Sequence, residues 1–501
     1  MNRTLYEWFA DSAERYPDHV AVELPGQALT YAALLRAAEA TAERIASTSG
    51  GPVERVGLLA SRSAVAFAGY LAAQRLGACV VPLNPGYPHT RNQDICTLAA
   101  VDLVVADSAV RQGPGTPPWP LLELSADEVL DARPTGRLPA YTAEPDRVAY
   151  LLFTSGSTGR PKGVPIRHRN VAPFLAYNIN RYEVGPGCRM SHTFDLTFDL
   201  SVFDLFVTWG GGATLVVPEP TELLSPVGYL TERRLTHWFS VPSVVSVSAE
   251  LGRLPAGQVR ELRYSVFCGE QFTYGQARTW RAVAPGSVID NIYGPTELTL
   301  ACTAFRVPAD PEDWPRTSND TVPIGEPYPG LDHLITESGE LCVRGAQRFD
   351  GYLDERDNAG RFTDHDAAGP PEADRYYRTG DRVGREEGQL VHRGRLDEQV
   401  KIRGYRVELG EIEAALRRHP EVGQAVVVAV REGEETELVG CHTGDPVPRM
   451  RLIRHLRDVL PIHMVPRRFV HLESMPLNAN GKADRKALTA LVKETADVVS
   501  Q

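Results

Sequence analysis

The chain has 501 residues, 43% of them hydrophobic and 23% charged, and this length predicts two to four domains that each bury a core. The formal net charge of −11 argues against general binding to nucleic acids or to anionic membranes. Scattered cysteines without a C-x-x-C pair, an amphipathic N-terminus without a signal-peptide core, and the lack of an apolar run of ~18 residues together predict a cytoplasmic protein with no membrane partner.

Apolar runs typical of strands alternate with helical patterns through most of the chain. "RVGLLA" (55–60) precedes the helical pattern "AVAFAGYLAAQRLG" (64–77), and "CVVPL" (79–83) follows it. The same alternation continues as far as "SVIDNIYG" (287–294). It predicts α/β layers with mostly parallel sheets, in which ligands lie beyond the C-terminal ends of the strands.

One loop directly follows an apolar strand, in the segment "LLFTSGSTGRPKGV" (151–164). Gly156 and Gly159 allow a tight turn whose N–H groups can face one anion, and Lys162 adds a positive charge. The hydroxyl groups that would add donors belong to Thr154, Ser155, Ser157 and Thr158. The spacing is not that of a Walker A loop, and a flexible linker is the alternative. The pattern predicts a polyphosphate-binding loop.

The composition changes after about residue 335. "GELCVRG" (339–345) and the segment 388–409 are charged, rich in glycine and strand-like, and the pattern then becomes helix, strand, helix. This indicates a small α+β domain with an exposed boundary near 395–397.

Several segments then converge on one family. The chain resembles the adenylate-forming enzymes, specifically the amino-acid adenylation domains of nonribosomal peptide synthetases and their stand-alone relatives, such as D-alanine–carrier protein ligases. The segments that carry the resemblance include the 151–164 loop, "FDLSVFD" (198–204), "FCGE" (267–270), "NIYGPTE" (291–297), "YRTGD" (377–381), "GRLDEQVKIRGYRVELGEIE" (394–413) and "NGKADRKAL" (480–488).

The resemblance implies a large N-terminal domain of stacked α/β layers (1–395), which binds ATP and the amino acid, and a small mobile α+β domain (396–501). It also implies a reaction in two halves. The carboxylate of an amino acid attacks the α-phosphate of ATP, and a phosphopantetheine thiol then displaces AMP from the aminoacyl-AMP.

The resemblance also implies which residues bind ATP. Glu297 would bind Mg²⁺, Thr296 the α-phosphate, Tyr293 the adenine face, and Asn291 the adenine amino edge. Asp381 would accept the ribose hydroxyls. The other residues expected at the nucleotide are Thr154, Ser155, Gly156, Ser157, Thr158, Gly159, Lys162, Gly269, Glu270 and Arg395.

The C-terminal part contains three residues with implied roles. Lys482 would reach the reacting carboxylate and the α-phosphate, where a compact ammonium group suits the growing charge. Asp397 would be the hinge, and the segment around Gly404 would face the channel of the thiol. His463 stands where the family usually has tyrosine, and we expect only a packing difference there.

Asp199 matches the aspartate that pairs with the amino group of the substrate, although Asp195 and Asp204 lie in the same stretch. The implied pocket contains no charge other than Asp199 and Lys482, so it favours an uncharged side chain. Its other members are Leu200, Phe203, Phe239, Val266, Cys268, Ile292, Leu300 and Ala301.

If the two phenylalanines fill the pocket, only a small side chain fits, so we expect alanine, with glycine and serine as weaker substrates. If they stand against the pocket wall, a proline- or valine-activating enzyme is expected instead. Two alternatives from other classes of protein share the fold: an acyl- or aryl-CoA ligase, and a binding protein that has lost catalysis.

The acceptor thiol is expected on a separate carrier protein, because only thirteen residues follow Leu488. The 38 prolines and the excess of arginine over lysine resemble a GC-rich bacterial genome and favour antibiotic biosynthesis.

Overall fold

The computed structural model describes residues 3–110, 118–156, 160–363, 375–397, 399–432, 435–477 and 483–499. The chain divides into two compact units. The larger unit comprises Met1–Pro85, Cys96–Phe153 and Gly163–Leu396, and the second comprises Gly86–Ile95, Thr154–Lys162 and Asp397–Gln501.

The strands are numbered in chain order. They are β1 (Val20–Leu24), β2 (Gln27–Thr30), β3 (Arg55–Leu59), β4 (Cys79–Leu83), β5 (Leu103–Asp107), β6 (Leu121–Leu124), β7 (Val148–Thr154), β8 (Lys162–Arg167), β9 (Arg189–Ser191), β10 (Thr214–Val216), β11 (His237–Ser240), β12 (Tyr264–Phe267), β13 (Val288–Tyr293), β14 (Thr303–Val307), β15 (Glu326–Pro327), β16 (Leu331–Ile335), β17 (Glu340–Gly345), β18 (Phe362–Thr363), β19 (Tyr376–Glu386), β20 (Gln389–Arg395), β21 (Gln399–Ile402), β22 (Tyr405–Glu408), β23 (Val422–Glu432), β24 (Glu435–Gly444) and β25 (Arg468–His471).

The helices are numbered in the same way. They are α1 (Leu5–Arg15), α2 (Tyr31–Ser49), α3 (Ala64–Arg75), α4 (His89–Ala99), α5 (Ala126–Asp131), α6 (His168–Arg181), α7 (Leu200–Val202), α8 (Thr208–Gly210), α9 (Pro226–Glu232), α10 (Ser243–Glu250), α11 (Tyr274–Val283), α12 (Leu409–Leu416), α13 (Arg449–Arg457) and α14 (Arg485–Val499). A π-helical turn, Phe203–Val207, joins α7 to α8.

The first sheet of the larger unit has the strand order β6-β5-β3-β4-β7-β8. Its central strands pair in parallel, and every residue of β4 and β5 is buried. Such continuous burial is typical of parallel strands covered on both faces. Helix α3 is Ala-rich and almost wholly buried, and the Ser63 hydroxyl caps its N-terminus, as expected for a helix start.

The second sheet positions the candidate site. Its order is β15-β14-β13-β12-β11-β9-β10-β1-β2, and β9 to β13 pair in parallel. In this register Phe239 is opposite Val266, and Phe267 is opposite Asn291. The predicted α/β layers with mostly parallel sheets are confirmed, and the C-terminal ends of β11, β12 and β13 meet at one edge.

A third, antiparallel sheet contains β16, β17, β18, β19 and β20. Asp381 on β19 is paired with Arg395 on β20. The third sheet therefore brings together two predicted nucleotide-binding residues as direct cross-strand partners.

The second unit contains an α+β core. Strands β23, β24 and β25 form one sheet, and Val427, Ile412 and Leu452 are fully buried in its core. All seven cysteines of the chain are buried free thiols. Among the helices of the described residues, none has the length and apolarity needed to cross a bilayer.

Candidate active site

The Asp381 carboxylate is the centre of a buried polar network. It accepts hydrogen bonds from the Tyr293 hydroxyl at 2.6 Å and from the Arg395 guanidinium at 2.8 Å, and His392 Nε2 lies 3.1 Å from it. Burial and, after it, the charge of Asp381 raise the pKa of Tyr293 well above its ordinary value. Tyr293 therefore remains a protonated donor, and the carboxylate is held in one orientation.

His392 is a member of this network that the sequence did not indicate. Regular pairing from Asp381–Arg395 would put position 393 opposite Val383, but the register shifts and His392 is there instead. A one-residue bulge reverses the faces of a strand. If side chains are assumed to alternate strictly along β20 from Arg395, His392 is placed on the opposite face of the sheet from the one it occupies.

Asn291 lies at the end of β13 and is buried. Its side-chain nitrogen donates to the carbonyls of Val322, at 3.3 Å, and Pro323, at 2.9 Å. These two bonds fix the amide plane and leave the side-chain oxygen as the group that can accept from a ligand.

Glu297 follows β13 in the short 3₁₀ turn Thr296–Leu298 and is fully buried. The Tyr352 hydroxyl donates to its carboxylate at 2.6 Å. Tyr352 was not predicted, because no local pattern signals a contact between residues 55 positions apart. In the neighbouring predicted pair, the Glu270 carboxylate accepts from the Ser243 N–H at 2.9 Å, and Gly269 has a φ of 91°.

The backbone is strained just after Glu297. Thr299 and Leu300 have φ values of 56° and 74°, a conformation that costs residues other than glycine about 1–3 kcal/mol each. Buried Gln347 holds this segment, since its amide nitrogen donates to the Ala301 carbonyl at 2.7 Å and its backbone oxygen accepts from the Thr299 hydroxyl. Gln347 is a further residue that the sequence did not indicate.

The structure gives distinct contacts to the three nearby aspartates. Asp195 accepts from Thr197 N–H and from the Ser61 hydroxyl, so it fixes a turn. Asp204 is 1% exposed and accepts from backbone N–H groups. Asp199 is half-buried at the start of α7, and its charge contributes, after burial, to the raised pKa of Tyr150. Asp195 and Asp204 therefore have structural roles, and the assignment of Asp199 to the substrate stays a prediction.

The predicted pocket residues other than Asp199 and Lys482 are all buried. The rings of Phe203 and Phe239 pack against each other, with centroids 4.5 Å apart. Phe239 also contacts Phe194 at 5.0 Å, and Phe203 contacts Tyr182 at 5.7 Å. Both rings are therefore part of an aromatic core cluster. The remaining buried pocket residues are Leu200, Val266, Cys268, Ile292, Leu300 and Ala301.

The glycine- and hydroxyl-rich loop belongs to the second unit. The Ser155 hydroxyl donates to the Arg406 carbonyl at 2.7 Å, and Lys162 is buried. A Cβ at Gly156 would lie 1.9 Å from the Arg160 carbonyl oxygen, so this position requires glycine. Thr154, the first residue of the predicted set, ends β7. The described residues do not include Ser157, Thr158, Gly159 or Lys482.

The remaining predicted residues of the second unit lie in or beside a hairpin. The Asp397 carboxylate accepts from the Gln399 N–H at 3.3 Å. Gly404 has a φ of 81° in the turn between β21 and β22, where left-handed residues match the twist of the strands. His463 stacks on Tyr405 with ring centroids 3.5 Å apart.

Two family models match this chain. The model described as "AMP-binding enzyme" matches residues 9–353, and the model described as "AMP-binding enzyme C-terminal domain" matches residues 411–482. The chain belongs to the AMP-binding enzyme family. Within this family it is an adenylation domain of the nonribosomal peptide synthetase type.

Two relatives and one solved structure illustrate the range of the family. The chain is 36% identical to phosphinothricin tripeptide synthetase PhsC of Streptomyces viridochromogenes over 99% of its own length but only 46% of the relative. It thus spans about half of that protein. It is 34% identical to the L-proline–[L-prolyl-carrier protein] ligase of Pseudomonas fluorescens, covering 98% of this chain and 100% of the ligase.

The solved structure is the Vibrio cholerae adenylation domain AlmE in complex with glycyl-adenosine-5′-phosphate. It is 25% identical to this chain, with a TM-score of 0.83 and coverage of 99% of this chain and 98% of AlmE.

Proposed function

We propose that this protein activates L-proline with ATP and transfers the prolyl group to the phosphopantetheine thiol of a separate carrier protein. The supporting observation is the similarity to the prolyl-carrier protein ligase, which extends over essentially the full length of both chains. The expectation of alanine lacks such support, and the comparisons favour proline, which the sequence left open as a second substrate.

The pocket chemistry agrees with proline. The ring of proline is apolar and uncharged, as the buried lining requires. Phe203 and Phe239 pack against each other and against Phe194 and Tyr182, so the rings have core neighbours that hold them as walls. The secondary ammonium of proline would pair with Asp199. One methylene in such a pocket is worth only about 1–3 kcal/mol, so we expect weaker activity with alanine and valine.

The nucleotide would bind along the ends of β13 and β19. Asp381, fixed by Tyr293 and Arg395, would accept the ribose hydroxyls, and the Asn291 oxygen would accept from the adenine amino group. Tyr293 would lie against the adenine ring. Further contacts are assigned to Gly269, Glu270, and the loop residues Thr154, Ser155, Gly156, Ser157, Thr158, Gly159 and Lys162.

Glu297 would hold Mg²⁺. A single hard carboxylate fits this ion, which keeps several waters and takes further oxygen ligands from nucleotide phosphates. No separate cluster of three or more His, Cys, Asp or Glu side chains suited to a metal occurs within the described ranges. When bound, the ion would neutralise charge on the phosphates. Tyr352, by donating to Glu297, would keep this carboxylate oriented.

The first half-reaction joins two anionic groups, so positioning and charge neutralisation dominate it. A prolyl carboxylate oxygen would bond to the α-phosphorus while the bond to pyrophosphate breaks. Lys482 would neutralise the carboxylate and α-phosphate oxygens, and Thr296 would donate to the α-phosphate.

In the second half-reaction the thiol sulfur would bond to the acyl carbon and AMP would leave with the bonding electrons of the carbon–oxygen bond. We propose that a C-terminal domain (396–501) turns about Asp397 on the 1–395 domain between the two halves. The segment around Gly404 would then face the thiol.

Natural-product assembly is the setting that we propose, because PhsC is a peptide synthetase. The carrier protein would supply the acceptor thiol, and the product would be a prolyl thioester ready for an acyl-transfer step.

An amino-acid panel scored by ATP–pyrophosphate exchange tests the substrate. It contains D- and L-proline, D- and L-alanine, glycine, serine, valine, leucine and phenylalanine, together with plain and aryl carboxylic acids. We expect the highest kcat/KM with L-proline. A higher value with alanine or glycine would overturn the substrate assignment, and exchange with plain or aryl carboxylic acids alone would overturn amino-acid activation.

Lys482→Ala tests the proposed mechanism. We expect loss of prolyl-AMP formation by about 10²–10³-fold, the effect of removing one group that stabilises transition-state charge. Equilibrium binding of ATP would persist. Unchanged turnover in this variant would refute the role of Lys482.

A further inference from the structure

The side chain of Asp204 joins the two ends of the segment 192–204 by polar contacts. The Asp204 carboxylate oxygen Oδ2 lies 3.0 Å from Thr193 N and 3.3 Å from Phe194 N, and it accepts from both N–H groups. His192 Nδ1 lies 3.3 Å from the same oxygen. Asp199 is in the middle of the closed segment.

Asp204 lies in the π-helical turn Phe203–Val207. The Thr208 hydroxyl donates to the Asp204 carbonyl, which gives that backbone group a partner where the helical pattern changes. Single π turns inside helices occur frequently at functional sites. Here the turn contains both a pocket wall, Phe203, and the residue that closes the Asp199 segment.

Thr193 connects the same closure to Phe239, the ring that packs against Phe203. Its N–H donates to Asp204 and its hydroxyl donates to the Phe239 carbonyl at 2.6 Å. The next residue, Phe194, packs on the Phe239 ring, and Arg62 donates to the Thr193 carbonyl at 2.6 Å. Thr193 thus uses three polar groups to hold three separate parts of the chain.

We propose that Thr193 and Asp204 form a positioning clamp that sets the placement of Asp199 relative to Phe239, and thereby the affinity for the amino acid. This inference rests on the proposed role of Asp199 as the partner of the substrate ammonium. Neither clamp residue needs to touch the substrate. Both act by fixing the backbone that carries Asp199, which would bind the ammonium group, and Phe239, which would line the pocket.

The clamp works through hydrogen-bond acceptance and not through charge. Burial raises the pKa of Asp204 well above its ordinary value and lowers the pKa of His192 well below its own, so burial disfavours the charged form of each group. An amide oxygen can accept hydrogen bonds from the same two N–H groups as Oδ2 of Asp204 does. Asp204→Asn should therefore preserve the clamp, whereas Asp204→Ala should release it.

A purely structural role predicts a different result, and Asp107 provides the matched control. Asp107 is also a buried carboxylate, 6% exposed, and it accepts from the Ser63 hydroxyl at 2.6 Å and from Ala109 N–H at 2.9 Å. It lies on β5 in the other parallel sheet. Asp107→Ala should lower the melting temperature without a selective change in the KM for proline.

The experiment measures the KM for proline, the KM for ATP, kcat and the melting temperature of each variant by pyrophosphate exchange and thermal unfolding. We expect Asp204→Ala and Thr193→Val each to raise the KM for proline about tenfold, as for a lost buried hydrogen bond, with the KM for ATP within about twofold. Asp204→Asn and Thr193→Ser should retain near-native values. Thr193→Val keeps the shape of the side chain and removes only its hydroxyl group. It therefore tests the clamp even if Asp204→Ala does not fold.

Asp199→Asn separates failure of the clamp from failure of the binding mode. If Asp199→Asn raises the KM for proline but Thr193→Val does not, the clamp is refuted and the role of Asp199 stands. If Thr193→Val raises both KM values together, its role is structural and the clamp is also refuted. If Asp199→Asn leaves the KM for proline unchanged, the proposed binding mode fails, and the clamp fails with it.

Discussion

The proposed nucleotide-binding and amino-acid-binding sides of the larger unit are fixed by different forces. On the nucleotide side, Asn291, Tyr293 and Arg395 are each held by direct hydrogen bonds of 2.6–3.3 Å. On the amino-acid side, Phe203 and Phe239 are held by ring packing. Hydrogen bonds specify partners by direction, whereas apolar packing specifies only volume. The first side can therefore be predicted from residue identity, and the second only from shape.

Among the variants that affect one side and not the other, we expect Asp381→Asn to have the largest effect. The substitution removes the charged group that would accept both ribose hydroxyls, and each hydrogen bond to a charged group contributes about 1.5–3 kcal/mol, so kcat/KM for ATP should fall by about 10²-fold. Initial rates over a range of ATP concentrations measure this. Asp332→Asn is the control, because the Asp332–Arg344 pair in the same sheet is exposed and contributes at most about 1 kcal/mol. An equal loss in both variants would contradict the role of Asp381.

Phe239→Leu should affect only the amino-acid side. Replacing one ring of the Phe203–Phe239 pair enlarges the pocket by part of a side chain, which is worth about 1–3 kcal/mol in discrimination. We expect the ratio of kcat/KM for pipecolic acid, the six-membered homologue, to that for proline to rise about tenfold, with the KM for ATP unchanged. A fall in this ratio would show that the ring is not a pocket wall.

Tyr293→Phe removes one hydroxyl from the nucleotide side and preserves the ring. The loss of its hydrogen bond to Asp381 should cost about 1 kcal/mol and raise the KM for ATP about fivefold. The KM for proline serves as the internal reference. A larger effect on proline than on ATP would contradict the separation of the two sides.

Acidification should weaken the fold through two buried histidines. Burial lowers the pKa of His168 and of His237 to about 4, against about 6.5 in an unfolded chain. The unfolded chain therefore binds more protons between these values, so the free energy of unfolding is highest above pH 6.5 and falls as the pH falls towards 4.

Urea unfolding at pH 7 and pH 5 measures this change. The double variant His168→Gln, His237→Gln should show a smaller difference between the two pH values than the native chain. An equal difference would assign the acid sensitivity to other groups.

The sequence predicted the α/β layers, which alternating patterns encode, and short motifs led to the proposed nucleotide-side residues. Asp381 and Arg395 are paired across neighbouring strands, which a motif can specify. His392 depends on a bulge, and Tyr352 and Gln347 contact loops about 50 positions away, so no local pattern indicated them. The preference for alanine depended on whether Phe203 and Phe239 fill or line the pocket, and residue identities alone do not determine that.

The most direct test is a crystal structure with a non-hydrolysable prolyl-adenylate analogue. We expect the prolyl nitrogen within hydrogen-bond distance, about 3.2 Å, of an Asp199 carboxylate oxygen, and the ribose hydroxyls on Asp381. A prolyl nitrogen that faces another residue, with Asp199 beyond hydrogen-bond reach, would contradict the proposed mode of substrate binding.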